Sequence, residues 1–147
     1  MTIAPIVENK KRFLDLLLLA DPCEAMVDRY LAAGAMFVLY DDGGEAASEC
    51  VMLPRADGAI ELKNIATAPE KQGRGFAGAL LEEMARRYAG RYARMYVGTA
   101  GAEPFYEAHG FRYAYTFEEF FTLYYPEPVV DGDLVCVDMI YLVRELH

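Results

Sequence analysis

Apolar positions along the chain change their spacing several times, and each change marks an element. The opening "TIAPIV" reads as a short strand at a sheet edge, because Pro5 has no N–H to give a ladder. Residues 9–20 read as a helix: Phe13, Leu16, Leu17 and Ala20 fall on one stripe, widened by Leu14 and Leu18. Asp21-Pro22 then restarts a helix, with Asp21 as its cap and Pro22 in its first turn. Met26, Val27, Tyr30 and Leu31 give that second helix an apolar side, and Gly34 ends it.

The period then shortens. Met36 to Tyr40 is a strand, Asp41 to Gly44 a turn, and Ala46 to Leu53 a second strand. The turn "RADG" leads into "AIELKNIAT", where Ile60 and Leu62 share one face and Glu61 and Lys63 take the other. After Gly75 the helical spacing returns in Phe76, Leu80, Leu81, Met84 and Tyr88. "RYARMYVGTA" is the next strand, so strand, helix and strand form a right-handed parallel crossover. A short helix "EPFYEAHG" and a strand from Phe111 to Phe117 follow. The acidic, aromatic "EEFFTLYYPEPVVDGD" reads as a loop before a last strand from Leu134 to Leu142. This order predicts an α+β protein with a mixed central sheet flanked by helices. Without repeats or a long linker, residues 1–147 read as a single domain.

Charge narrows the partners. Fourteen Lys and Arg against 23 Asp and Glu give a formal net charge of −9, which repels nucleic acid and anionic membrane and suits a cationic small molecule. The three cysteines are far apart and odd in number, which argues against a disulfide framework and for a reducing compartment, the cytoplasm. "FLDLLLLA" is far too short to span a bilayer. No Cys or His cluster has metal-ligand spacing, so no metal is expected.

The stretch "QGRGFAGA" contains a literal G-x-G-x-x-G at Gly73, Gly75 and Gly78. A dinucleotide fold would place it after the first strand, with an acid closing the next strand about 20 residues on. Here it follows a meander, and the region of Ala93 offers no acid. The local physics still stands. A helix start presents unpaired N–H groups and positive potential, and glycines let a pyrophosphate approach the backbone. Lys71 and Arg74 add cationic reach, and a tight turn made only for packing is the other reading of these glycines.

"QGRGFA", Gln72 to Ala77, resembles the acyl-CoA signature Q/R-x-x-G-x-G/A of the GNAT N-acetyltransferase superfamily. "FYEAHGF" resembles that superfamily's later Y-x-x-x-G-F, with Tyr106, Gly110 and Phe111 in place. "DMIYLVREL" and "ELKNIAT" are similar to segments of its small bacterial members. The resemblance implies an acyl-CoA N-acyltransferase fold. It implies acetyl-CoA bound by the backbone of Gln72, Gly73, Arg74, Gly75, Phe76 and Ala77. The pantetheine arm would then lie on the strand Ile65, Ala66 and Thr67, in a gap between "NIAT" and "MYVGT". Many members carry an Asn beyond the fifth strand; this chain has none, and the backbone of Gly101 is expected to substitute.

The resemblance also implies direct attack of a primary amine on the thioester, with no enzyme nucleophile. Tyr106 would be the general acid for the leaving thiolate, and Glu61, on the central strand, the base. The backbone N–H of Ile65 or its neighbours would serve the developing oxyanion. The acceptor, a small-molecule or peptide amine, would be held by Tyr30, Tyr40, Asp41, Glu118, Glu119 and Tyr124, since aromatics beside carboxylates suit an ammonium. The alternative is an acyl-CoA-binding regulatory or interaction module without transferase activity. "YLVRELH" on the last strand could pair with a partner's sheet, which makes a homodimer possible.

Overall fold

The computed structural model describes residues 1–131 and 134–147. Seven strands build the main sheet: β1 Thr2–Ile6, β2 Ala35–Tyr40, β3 Ala46–Pro54, β4 Ile60–Thr67, β5 Arg94–Thr99, β6 Arg112–Phe117 and, near the C-terminus, β9 Met139–Glu145. Their order is β1-β2-β3-β4-β5-β9-β6. Only β4 and β5 run parallel, joined by the helix α3, Phe76–Tyr88; every other pair is antiparallel. The expected mixed sheet is therefore present, and Pro5 does lie in the edge strand β1.

Helices cover both faces because both faces are apolar. On one side Leu80, Leu81 and Met84 of α3 pack on Ile60, Leu62, Met95 and Val97. On the other, α1 (Leu14–Ala20) and the four-residue α2 (Glu24–Val27) bring Leu17, Val27 and Leu31 against Met36, Val38 and Val51. Burying such a side chain contributes about 2 kcal/mol, so these two layers hold the sheet from both sides. Among the described residues, no helix is long and apolar enough to cross a membrane.

Five expectations change. The helix predicted over residues 9–20 begins as a 3-10 turn, Lys10–Phe13, and is α-helical only from Leu14. Asp21 is not a cap: Cys23 occupies that position, and the Asp21 carboxylate is buried between two tyrosines. The predicted loop 118–133 contains a helix, α5 Phe120–Tyr124, and strand β7 Val129–Asp131, which pairs with β8 Leu134–Cys136; Gly132 and Asp133 lie outside the described residues. The last strand is thus not continuous from Leu134. It breaks at Val137–Asp138, where Asp138 Oδ1 accepts the Glu119 N–H at 2.8 Å and the Val137 carbonyl accepts the Phe121 N–H at 3.0 Å. Those groups satisfy donors that the start of α5 leaves unpaired. Finally, β9 pairs with β5 on one side and β6 on the other, so it offers no edge to a partner; β6 does.

The sheet opens near its centre. Pairing of β3 with β4 passes from Val51↔Asn64 to Met52↔Leu62, so Lys63 is an extra residue in a β-bulge. The parallel pairing of β4 with β5 covers Ile60↔Met95, Glu61↔Tyr96 and Leu62↔Val97 and then stops. Both strands continue beyond that point, to Thr67 and Thr99, with a gap between them.

Candidate active site

The glycine loop closes one end of this gap. Gly75 is the N-cap of α3 with φ 82°, no side chain caps the helix, and Gly73 has φ 79°. Such angles are costly for residues with a Cβ. A Cβ built on either glycine would meet nothing within 4 Å, so the surface above the loop is open to a ligand. The third glycine differs: at Gly78 a Cβ would press on the His109 ring at 3.1 Å, so Gly78 serves packing. The G-x-G-x-x-G thus divides into two glycines of a cradle and one of a helix contact.

A cavity of about 620 Å³ lies over the loop. Ile65, Ala66, Thr67, Gln72, Gly73, Gly75, Phe76 and Ala77 all line it, as sequence reasoning grouped them. Arg74 points elsewhere, donating to the Glu70 carbonyl at 3.4 Å beside a smaller cavity shared with Asp41. Lys71 is not available to an anion: it is buried, with Asp41 at 2.5 Å and Glu45 at 3.2 Å. That ion pair ties the turn after β2 to the loop.

Tyr106, on α4 (Glu103–Ala108), joins this cavity to a second one of about 430 Å³ in the gap. Its ring packs edge-on against Phe105 and Phe111. Burial pushes its hydroxyl well above the usual tyrosine range, so it holds its proton at neutral pH. The hydroxyl has no hydrogen-bond partner among the described residues, while Thr99 and Gly101 line the same gap.

A third cavity of about 280 Å³ adjoins the gap on the side of α2 and α5. Glu61, expected as the base, and Tyr30 and Tyr124, expected on the acceptor, line it together. Both oxygens of Glu61 are engaged, one by Arg55 at 3.2 Å and the other by Lys63 at 3.2 Å. The Arg55 guanidinium lies 4.0 Å from the Tyr96 ring centroid and donates to the Tyr115 hydroxyl at 3.0 Å. Tyr115 in turn stacks on Tyr141 at 4.7 Å.

Four predicted acceptor residues fall outside these cavities. Tyr40, partly buried at the end of β2, packs against the core layer that contains Leu17 and Val38. The Asp41 carboxylate serves its own turn, accepting the Gly43 and Glu45 N–H groups at 3.0 Å, and pairs with Lys71. Glu118 is exposed, and Glu119 is the left-handed residue that starts α5. "DDGG" and "EEFF" are polar because they turn.

Residues that the pattern did not single out fill the place. Asp21 lines both the second and third cavities and is 8% exposed. Tyr30 donates to its Oδ2 at 2.9 Å and Tyr125 to its Oδ1 at 2.8 Å. Burial, followed by the charge of Asp21, pushes both tyrosines up, so both remain donors. The Asn64 amide donates to the Tyr30 hydroxyl at 3.0 Å and to the Leu17 carbonyl at 3.1 Å. Asp21 beside a proline mimics a helix cap. The one signal for Asn64 was an amide where strand alternation continues the apolar face of Ile60 and Leu62.

Comparison with known proteins places this geometry. The family model described as "Acetyltransferase (GNAT) domain" matches residues 32–113. The chain is 30% identical over 144 residues to the uncharacterized N-acetyltransferase YvbK of Bacillus subtilis, covering 95% of this chain and 92% of that protein. A GNAT family acetyltransferase from Elizabethkingia anophelis, solved with acetyl-CoA bound, is 33% identical over 99% of this chain and 97% of its own, with TM-score 0.91. A Bacillus subtilis acetyltransferase solved with CoA is 29% identical, over 99% and 98% of the two chains, with TM-score 0.87.

Proposed function

The chain belongs to the GNAT acetyltransferases, and we propose that it carries an acetyl group from acetyl-CoA to a primary amine across the gap between β4 and β5. It is an acetyl-CoA-dependent N-acetyltransferase. The observation that carries the assignment of its site is the end of β4–β5 pairing at Leu62↔Val97, with Tyr106 in the walls of the cavities on either side of that opening.

The chain's own groups fit each part of the donor. The free N–H groups at the start of α3 and the open backbone of Gly73 and Gly75 suit a pyrophosphate. The β5-facing backbone of Ile65 to Thr67, left without a strand partner, suits the amides of a pantetheine arm, and the backbone of Gly101 lies on the far wall. An N–H near Ile65 would donate to the thioester oxygen as charge develops there.

In the transfer, the neutral amine nitrogen attacks the thioester carbonyl. A C–N bond forms, the C–S bond breaks, and the nitrogen gives up a proton to water on the acceptor side. Tyr106 gives its phenolic proton to the leaving sulfur and regains one from solvent. Each Glu61 oxygen already accepts from one cation, Arg55 or Lys63, so the part we assign it is to hold these two cations beside the acceptor cavity. The odd, dispersed cysteines support a cytoplasmic setting. Exposed Tyr113 on the free edge strand β6 supports a homodimer through that edge.

The test is direct. Purified protein with acetyl-CoA and a panel of primary amines is expected to release free thiol and N-acetyl product together. An acyl-CoA-binding module would bind acetyl-CoA and release neither.

A further inference from the structure

Two buried acceptor groups beside the gap lack what they are built to hold. Among the described residues, Asp21 receives one hydroxyl hydrogen bond on each oxygen, a long one from the Cys23 N–H to Oδ1 at 3.5 Å, and no cation. A buried carboxylate without a cationic partner is costly, and the two tyrosines offset only part of that cost. Asn64 is 3% exposed, and its Oδ1 has no hydrogen-bond partner among the described residues. The amide cannot be turned round to repair this. The Leu17 carbonyl only accepts, so the nitrogen must face it and the oxygen is left over. Asp21 and Asn64 line the same cavity as Tyr106, and Tyr30 links them through one hydroxyl.

We propose that Asp21 and Asn64 form the seat of the acceptor's ammonium group, and that the acceptor is a monoamine with an apolar or aromatic body. This rests on the transferase reading above. Asp21 supplies the charge and Asn64 Oδ1 a second acceptor, so two of the three ammonium N–H groups find partners; the third proton passes to water, and the nitrogen, then neutral, attacks the thioester. The seat opens through Asp21 into the third cavity, whose walls include Phe117, Phe120, Tyr124 and Tyr141. That surface takes a hydrocarbon or ring. It does not take a second ammonium: Glu61, the other carboxylate there, already holds Arg55 and Lys63, and Arg29 adds a further positive charge. A polyamine would meet repulsion where a monoamine meets aromatic rings.

The experiment uses the full chain, acetyl-CoA, three monoamines (2-phenylethylamine, benzylamine and hexylamine) and two polyamines (putrescine and spermidine). At least one monoamine is expected to give kcat/KM about tenfold or more above either polyamine. Asp21→Asn is expected to raise the KM of that monoamine about tenfold or more, the scale of a lost hydrogen bond to a charged group. Its Kd for acetyl-CoA is expected to stay within about twofold, because Asp21 lies outside the loop cavity. In the wild type, N,N-dimethyl-2-phenylethylamine, a cation that cannot be stably acetylated, is expected to inhibit about tenfold more strongly than neutral 2-phenylethanol. This last comparison does not depend on the variant folding. Equal inhibition by cation and alcohol, preferred turnover of a polyamine, no turnover of any monoamine, or an unchanged KM in an Asp21→Asn protein that binds acetyl-CoA would each overturn the proposal. Thiol release with other amines alongside those results would leave the transferase reading standing. Absence of thiol release with every primary amine would remove both.

Discussion

The Tyr125 hydroxyl donates to Asp21 Oδ1 at 2.8 Å, across 104 positions of sequence. This bond joins the end of α5 to the connection between α1 and α2, over the gap in the sheet. Tyr125→Phe removes the bond and keeps the ring packing on Phe121. Its expected effect is a KM for the amine raised several-fold, roughly the 1 kcal/mol scale of one such bond, with acetyl-CoA affinity unchanged. Isothermal titration and initial rates measure the two separately. A loss of acetyl-CoA binding instead would mean that α5 supports the donor side.

Tyr106→Phe tests the acid. The packing against Phe105 and Phe111 survives the change, and the proton does not. The expected outcome is kcat lowered about 100-fold, with the Kd for acetyl-CoA within about twofold. An unchanged kcat would show that the thiolate leaves without help from this hydroxyl.

Gly75→Val addresses the cradle. A side chain at φ 82° costs about 1–2 kcal/mol of stability and enters the open space above the loop. Gly58, with φ 88° and equally open surroundings, lies in a turn outside the cavities and serves as the control. Both valine variants should lose stability in thermal melts. Only Gly75→Val should weaken acetyl-CoA, by about tenfold or more if one phosphate contact is blocked. Equal affinities in the two would place the pyrophosphate elsewhere.

Glu61→Gln separates two roles. A carboxylate that only holds Arg55 and Lys63 leaves kcat/KM within roughly fivefold when replaced by its amide, a loss of about 1 kcal/mol. Loss of about 100-fold or more, with the acid limb of the pH profile abolished, would make Glu61 the base after all.

Glu49 predicts a pH dependence of stability. It is fully buried on β3, and neither oxygen has a hydrogen-bond partner. Burial pushes its carboxyl up to about 8; the nearby Ala66 N–H opposes this without completing a hydrogen bond. In the unfolded chain the group ionises near pH 4.5. Its folded pKa is raised, so its contribution is fully present below about 4.5. It is lost as pH rises and has gone once the folded carboxyl ionises above about 8. Glu49→Gln should therefore gain on the wild type between those limits, by an amount on the order of 4 kcal/mol at the plateau. Denaturant melts at several pH values measure it, and parallel stability curves would refute it.

The hydrophobic pattern revealed the sheet because its strands carry apolar faces under the helices, and β4 cannot slip by one residue without carrying Glu61 and Lys63 into the layer that Ile60 and Leu62 share with α3. The glycine loop was legible because its residues adjoin in sequence. The acceptor side was not. Asp21, Asn64 and Tyr125 come from three distant segments and meet only through the fold, and each has an ordinary local reading. Asp21 precedes a proline as a cap would, Asn64 sits in a strand, and Tyr125 is one of eleven tyrosines. Helix α5 escaped because its face is aromatic throughout and its first N–H groups are satisfied by Val137 and Asp138, which follow it in sequence. Tyr40, Asp41, Glu118 and Glu119 attracted notice as aromatic or acidic positions near turns; Tyr40 packs on the core, Asp41 and Glu119 serve a turn and a helix start, and Glu118 is exposed.

The most direct measurement is a paired assay of CoA thiol and N-acetyl amine, from acetyl-CoA and each of 2-phenylethylamine, benzylamine and hexylamine, with and without the protein. At least one amine is expected to give thiol and its N-acetyl amide in one-to-one amounts, formed only when the protein is present. Thiol without amide would mean hydrolysis, and neither product from any of the three would mean that the site does not take such monoamines; either result would contradict the reading of the site.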